Sequence, residues 1–145
     1  MGYIEANLLP DETVVHKATL HWLIFGKATL VAAAGLLLLV LVEPTVGALV
    51  LAIGLVMAVP AWVAYRTSEF GVTTKRVIVK VGLVRRRTLE LLLRQVEAIS
   101  IDQSLMGRIF NYGSVTLSGT GGVREVFHNI AAPLEFRRKI QSQTA

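Results

Sequence analysis

Apolar and polar positions follow two different rhythms along this chain. From Trp22 to Tyr65 there is almost no polar interruption, and Lys27 and Glu43 are the two charged residues of the block. The block breaks at Val42-Glu43-Pro44-Thr45, leaving Leu23 to Val42 (20 residues, with Lys27 and Thr29 inside) and Val46 to Ala64 (19 residues, uncharged). A helix of roughly 20 apolar residues crosses the hydrocarbon core of a bilayer, so both segments are span candidates. A buried hairpin in a soluble protein is the alternative, but so small a domain cannot wrap two helices that are apolar all round. Small residues recur at helical spacing: Ala28, Ala32 and Gly35 on one stripe, Gly47, Gly54, Ala58 and Ala61 on the other. They either close the hairpin or form an oligomer interface. Pro60 predicts a kink in the second helix.

Outside the block the rhythm changes to period two. Thr13 to Leu20 reads as a strand before the first span. After the second come Glu69 to Thr74, Val77 to Val81, Arg85 to Leu93, Glu97 to Gln103, Ser114 to Ser118 and Val123 to His128. In Val77 to Val81 the valines share one face, while Ile78 and Lys80 take the other. Gly82, "MGRIFNYG" and "GTGG" separate the runs as turns. Pro133 to Gln143 reads as a helix, with Pro in its first turn and Phe136 and Ile140 at i, i+4. This is an α+β pattern: seven strands, a C-terminal helix, and a helical hairpin between strands one and two. The hairpin region runs from 22 to 65, with spans 22–42 and 46–64; residues 1–21 and 66–145 form the β part.

Charge sets the expected orientation. Lys17 and Lys27 flank the first span, Arg66, Lys75 and Arg76 follow the second, and the connecting turn holds only Glu43. Basic flanks stay cytoplasmic, so both termini are expected there, with Trp22, Trp62 and Tyr65 as interfacial anchors. Lys27 lies about one turn inside and can snorkel to the headgroups. The opening "MGYIEANLLPDE" has no basic n-region, so the first span is expected to remain as an anchor. Ala6 stands where a myristoylation motif needs Ser or Thr. The chain has no cysteine, which excludes a disulfide framework and thiolate metal sites.

With these elements placed, the run "VTTKRVIVKVGLVRRRTLELLLRQVEAISIDQSLMGRIFNYGSVTLSGTGG" resembles the bacterial pleckstrin-homology-like family, membrane-anchored YdbS type. The resemblance rests on Thr74-Lys75-Arg76-Val77-Ile78, Gly82-Leu83, Gln103-Ser104-Leu105-Met106-Gly107-Arg108 and Tyr112-Gly113, with the "LLPDE" opening and the hairpin. It implies two packed antiparallel sheets of seven strands, one open end capped by the helix. In this superfold, phosphoinositide-binding members use basic residues between strands one and two. That connection is here the hairpin itself, so the lipid pocket does not carry over.

Candidate functional residues follow. From Tyr65 to Ala145 there are 13 Lys and Arg against 6 Asp and Glu. Connections alternate between sheet ends, so Arg85, Arg86 and Arg87 are expected on the same side as the hairpin, facing the inner leaflet together with Arg66. An anionic leaflet attracts such residues by roughly 1 kcal/mol each. Within a strand, Arg86 would face opposite to Arg85 and Arg87. Lys75 and Arg76 are expected at the other end, as a patch for an acidic partner or a solvated turn. Met106, Ile109, Phe110 and Tyr112 are expected either as a protein or oligomer contact or as a core plug. His16, His21 and His128 have no metal spacing, and no nucleotide, phosphate or hydrolase motif occurs, so no cofactor and no enzymatic activity are expected. The glycines of "SGTGGV" lie between strands rather than opening a helix. The basic charge is accounted for by topology, and no nucleic-acid motif is present. The expectation is a non-enzymatic, membrane-anchored module on the cytoplasmic face of a bacterial inner membrane. It would self-assemble or dock a membrane protein partner; alternatively it would sense anionic lipid or envelope stress through Arg85–Arg87.

Overall fold

In the computed structural model, which describes residues 2–145, the apolar block and the period-two segments form separate units. Trp22–Arg66 is one; the chain up to His21 together with Thr67–Ala145 is the other.

The β unit contains a four-stranded antiparallel sheet, β1 (Val14–Ala18), β2 (Glu69–Thr73), β3 (Arg76–Val81) and β4 (Arg87–Leu92), in sequential order. A three-stranded sheet follows, β5 (Val96–Asp102), β6 (Tyr112–Gly119) and β7 (Val123–Ala131). Leu20 bridges to Ile130 and so joins the two sheets. Helix α5 (Pro133–Thr144) buries Phe136 and Ile140, as their i, i+4 spacing requires. Phe70, Val72, Val77, Val79, Val115, Leu117 and Ile130 complete the core, and Phe70 meets Phe127 edge-on with centroids 5.8 Å apart.

Alternation alone would leave Ile78 on a solvated face, yet it is fully buried. The reason lies at the N-terminus, where a single turn of helix, α1 (Tyr3–Ala6), lies over β2. The Glu69 carboxylate accepts from the Tyr3 and Ile4 N–H groups (2.9 and 3.2 Å), and Ile4 is fully buried. A methyl group at Gly71 would stand 2.5 Å from Ile4 Cδ1, so the outer face of β2 is closed. Period-two reasoning did not foresee this cover.

Register fixes which turns share an end. Ala18 pairs with Phe70, Glu69 with Lys80, and Val81 with Arg87. The chain's departure after His21, its return at Thr67 and the 82–86 turn therefore belong to one end of the first sheet. The Thr74-Lys75 turn lies at the other.

The second unit is a helical hairpin. A 3₁₀ turn (Trp22–Phe25) leads into α2 (Gly26–Leu41), and α3 (Pro44–Thr67) returns. Pro44 opens α3, where its missing N–H costs nothing, and the Glu43 carboxylate accepts from Val46 N–H at 2.6 Å. This hydrogen bond holds the Glu43 carboxyl below the usual carboxylate range. Helix α3 continues through Pro60. The glycines let the two helices approach closely, and Gly54 meets Ala32 of the other stripe. A Cβ at Gly35 would fall 2.3 Å from Leu51 N, at Gly47 2.1 Å from Leu39 N, and at Gly54 2.5 Å from Ala32 N. The two segments, 20 and 24 residues long, are long and apolar enough to cross a membrane, and about a tenth of each is buried.

Candidate functional site

The turn between β3 and β4 carries the arginine run. Gly82 has φ +87°, and a Cβ there would meet Arg85 O at 2.4 Å, so the tight turn needs glycine. Strand β4 starts at Arg87 rather than Arg85, because Val81 pairs with Arg87. The expected alternation of the three arginines is corrected accordingly: Arg85 and Arg86 belong to the turn. Each then has its own surroundings. Arg86 lies over the Tyr3 ring at 5.7 Å, where Lys80 also sits at 5.7 Å. Such contacts contribute about 0.5–1 kcal/mol each at exposed sites. Arg87 is ion-paired with Glu125 of β7. Arg85 has no ion pair among the described residues. Ahead of it, Leu83 is exposed and Val84 is 98% exposed. Apolar residues at the apex of a turn are themselves a signal, one that the sequence carries beside the charges. Arg66, near the end of α3, lies 6.0 Å from the Trp62 ring.

At the other sheet end Lys75 is exposed, and the expectation that Arg76 shares its surface is corrected. Arg76 is 8% exposed. Its Nε and one terminal nitrogen donate to the two Glu12 oxygens (3.0 and 3.1 Å); it also pairs with Glu90 and donates to Asn7 O at 2.6 Å. The Thr73 hydroxyl stands 2.6 Å from Glu12 Oε1. Burial opposes the charge on Glu12, but the hydrogen bonds from Arg76 and Thr73 outweigh it and hold the carboxyl below its usual range. The hydrogen bonds that Arg76 donates to Glu12 likewise raise its own pKa. Lys75 Nζ donates to Pro10 O at 2.7 Å. Both side chains thus tie the N-terminal segment to the β2–β3 turn, and Arg76 is not available to a partner.

The "MGRIFNYG" segment contains a short helix, α4 (Leu105–Phe110), where only a turn was expected. Ser104 caps it, accepting from Gly107 N–H at 3.1 Å, and Asn111 ends it at φ 59°. Gly107 faces inward, where a Cβ would lie 2.5 Å from Tyr112 O. The apolar side chains point outward: Leu105 is 77% exposed, Ile109 73%, Met106 52% and Phe110 37%. This geometry departs from a core plug. Tyr112 belongs to β6, and its ring stacks on His21 with centroids 5.1 Å apart. Beside α4, a shallow groove of about 610 Å³ is lined by Asp102, Gln103, Arg108, Asn111 and Arg137 among others.

Among the described residues no cluster of three His, Asp or Glu forms a metal site. Ser114 Oγ lies 2.9 Å from His128 Nδ1, an exposed cross-strand pair linking β6 and β7.

Comparison with known proteins agrees with this architecture. The family model described as "Bacterial PH domain" matches residues 25–144. No curated protein matches the sequence. Among solved structures, a DUF1696-family protein with a pleckstrin-homology domain from Shewanella loihica is 10% identical. It covers 56% of this chain and 74% of its own, with a TM-score of 0.45. PH-like families are generally non-enzymatic, and no catalytic family is indicated. With seven strands in two sheets, a C-terminal helix and a family match over most of its length, the chain belongs to the bacterial PH domain family.

Proposed function

We propose that this chain is a non-enzymatic, membrane-anchored PH-like interaction module. The hairpin crosses a bacterial cytoplasmic membrane, and both termini and the β unit lie in the cytoplasm. One observation carries this reading: two long apolar helices, largely unburied, are inserted between the paired strands β1 and β2. No folded soluble unit of this size can cover them. The basic flanks at Lys17, Lys27 and Arg66 give the orientation, opposite a connecting turn whose charge is Glu43.

The absence of cysteine makes the test direct. Single cysteines are placed at Thr45 and at Ser142 and reacted with an impermeant maleimide in spheroplasts and in inverted vesicles. Thr45→Cys should label in spheroplasts, and Ser142→Cys in inverted vesicles. The opposite pattern would refute the orientation, and labelling of both sites in spheroplasts would refute the two-span topology.

A second reading, in which the module docks a second copy or another membrane protein through α4, is favoured by the outward-facing Leu105, Met106 and Ile109. Native mass spectrometry from mild detergent tests it. Higher-order assemblies support self-association. A monomer retaining an anionic lipid directs attention to Arg85–Arg87, and a bare monomer points to a different protein partner.

A further inference from the structure

We infer that the β3–β4 turn is a bilayer wedge: Leu83 and Val84 enter the boundary between headgroups and acyl chains of the membrane the hairpin crosses, while Arg85 meets lipid phosphate. The inference rests on the membrane-anchored reading above.

Turn chemistry is the first argument. Hairpin apices are normally Gly, Asn, Asp, Pro or Ser, because these residues satisfy the backbone geometry and stay hydrated. Here Gly82 meets the geometric need, and the next two positions are Leu and Val. A singly exposed apolar residue needs no explanation. Two in succession at an apex, with Leu83 57% and Val84 98% exposed, gain little burial from the fold.

The second argument is placement. Register puts this turn at the end of the sheet where the chain leaves after His21 and returns at Thr67. No linker separates these junctions from the apolar helices, which begin at Trp22 and end at Thr67. Where the hairpin crosses the bilayer, its junctions at His21 and Thr67 mark the membrane surface, and the register gives the turn the same end of the sheet as those junctions.

Charge and support are the third. Arg85 follows the apolar pair and makes no ion pair among the described residues. Arg86 on the Tyr3 ring and Arg87 on Glu125 brace the base of the turn on two sides. The base of the turn thus contacts α1 on one side and β7 on the other. An apolar tip with a cationic shoulder suits an anionic bilayer surface, where acyl chains accept the tip and phosphates the guanidinium.

The experiment uses the full chain, spin-labelled at single cysteines and reconstituted into vesicles containing phosphatidylglycerol. Sites are Val84→Cys at the tip, Thr74→Cys at the opposite sheet end and Leu49→Cys in α3. Collision with oxygen, which concentrates in lipid, is compared with collision with a water-soluble nickel chelate. The wedge predicts several-fold higher oxygen access and several-fold lower nickel access at 84 than at 74, with 49 lipid-exposed as the control for the span. If 49 is lipid-buried and 84 is as nickel-accessible as 74, the wedge is wrong and the anchor stands. If 49 is itself nickel-accessible, the anchor fails and the wedge with it. If 84 is shielded from both reagents, and the shielding is lost on diluting protein into lipid, the tip meets a second copy rather than the bilayer, and the wedge is overturned.

Discussion

A carboxylate and a guanidinium lock the end of the first sheet that lies away from the hairpin junctions. Glu12 is buried, and Arg76 chelates both of its oxygens while also holding Glu90. Removing the Glu12 charge takes charge-assisted hydrogen bonds from Arg76 but leaves it paired with Glu90, so Glu12→Gln should destabilise the β unit by about 1.5–3 kcal/mol at neutral pH. The folded Glu12 pKa lies below its unfolded value. The stabilisation is therefore complete above pH 4.5 or so and is lost as pH falls through the lower, folded value. Thermal melts of wild type and Glu12→Gln in detergent, followed by circular dichroism, should differ at pH 7 and converge in acid. A constant difference would mean that Glu12 acts through packing and not through its charge. None of this was visible locally, because Glu12 and Arg76 are 64 residues apart and the latter reads as one half of a surface basic pair. By contrast, the burial of Phe136 and Ile140 was legible from spacing alone, because both partners of that pattern lie on one helix.

Elements were legible where a period had room to repeat. The two apolar helices and the alternation along β6 are examples, and the latter is buried at every second residue. Boundaries were less so. The fourth strand was expected from Arg85, but the pairing of Val81 with Arg87 shifts its start and moves two arginines into a turn. Helix α4 has six residues, too few for a helical period, and its capping Ser104 was the available signal. That helix makes a clear prediction. Ile109→Ser lies on an exposed face and should leave stability within about 0.5 kcal/mol. If a second copy docks there, the assemblies seen by native mass spectrometry should be lost while the fold persists. In the hairpin, Gly47→Val would push a side chain into the Leu39 backbone. Overpacking of this kind costs about 1–3 kcal/mol, and the helical signal in detergent should melt earlier. An unchanged melt would show that the two helices are not in close contact at this crossing.

For the molecule as a whole, the proposed crossing of the membrane by the hairpin would make its place in the strand order govern biosynthesis. Strand β1 is made before both spans, and its partner β2 after them. The sandwich can close only if the two spans return the chain to the side of the membrane where β1 waits. A molecule in which one span fails to insert has β1 and β2 on opposite sides and lacks an edge of its first sheet, together with the Leu20–Ile130 bridge to the second. On the proposed topology, folding would thereby proofread insertion. Lysines introduced at Glu43 and Thr45 would weaken the charge asymmetry that sets topology. The misinserted fraction should then be cleared by quality-control proteases instead of persisting in the membrane in the wrong orientation. In the proposed arrangement the β unit would act as its own inspector, certifying the anchor before any partner is met.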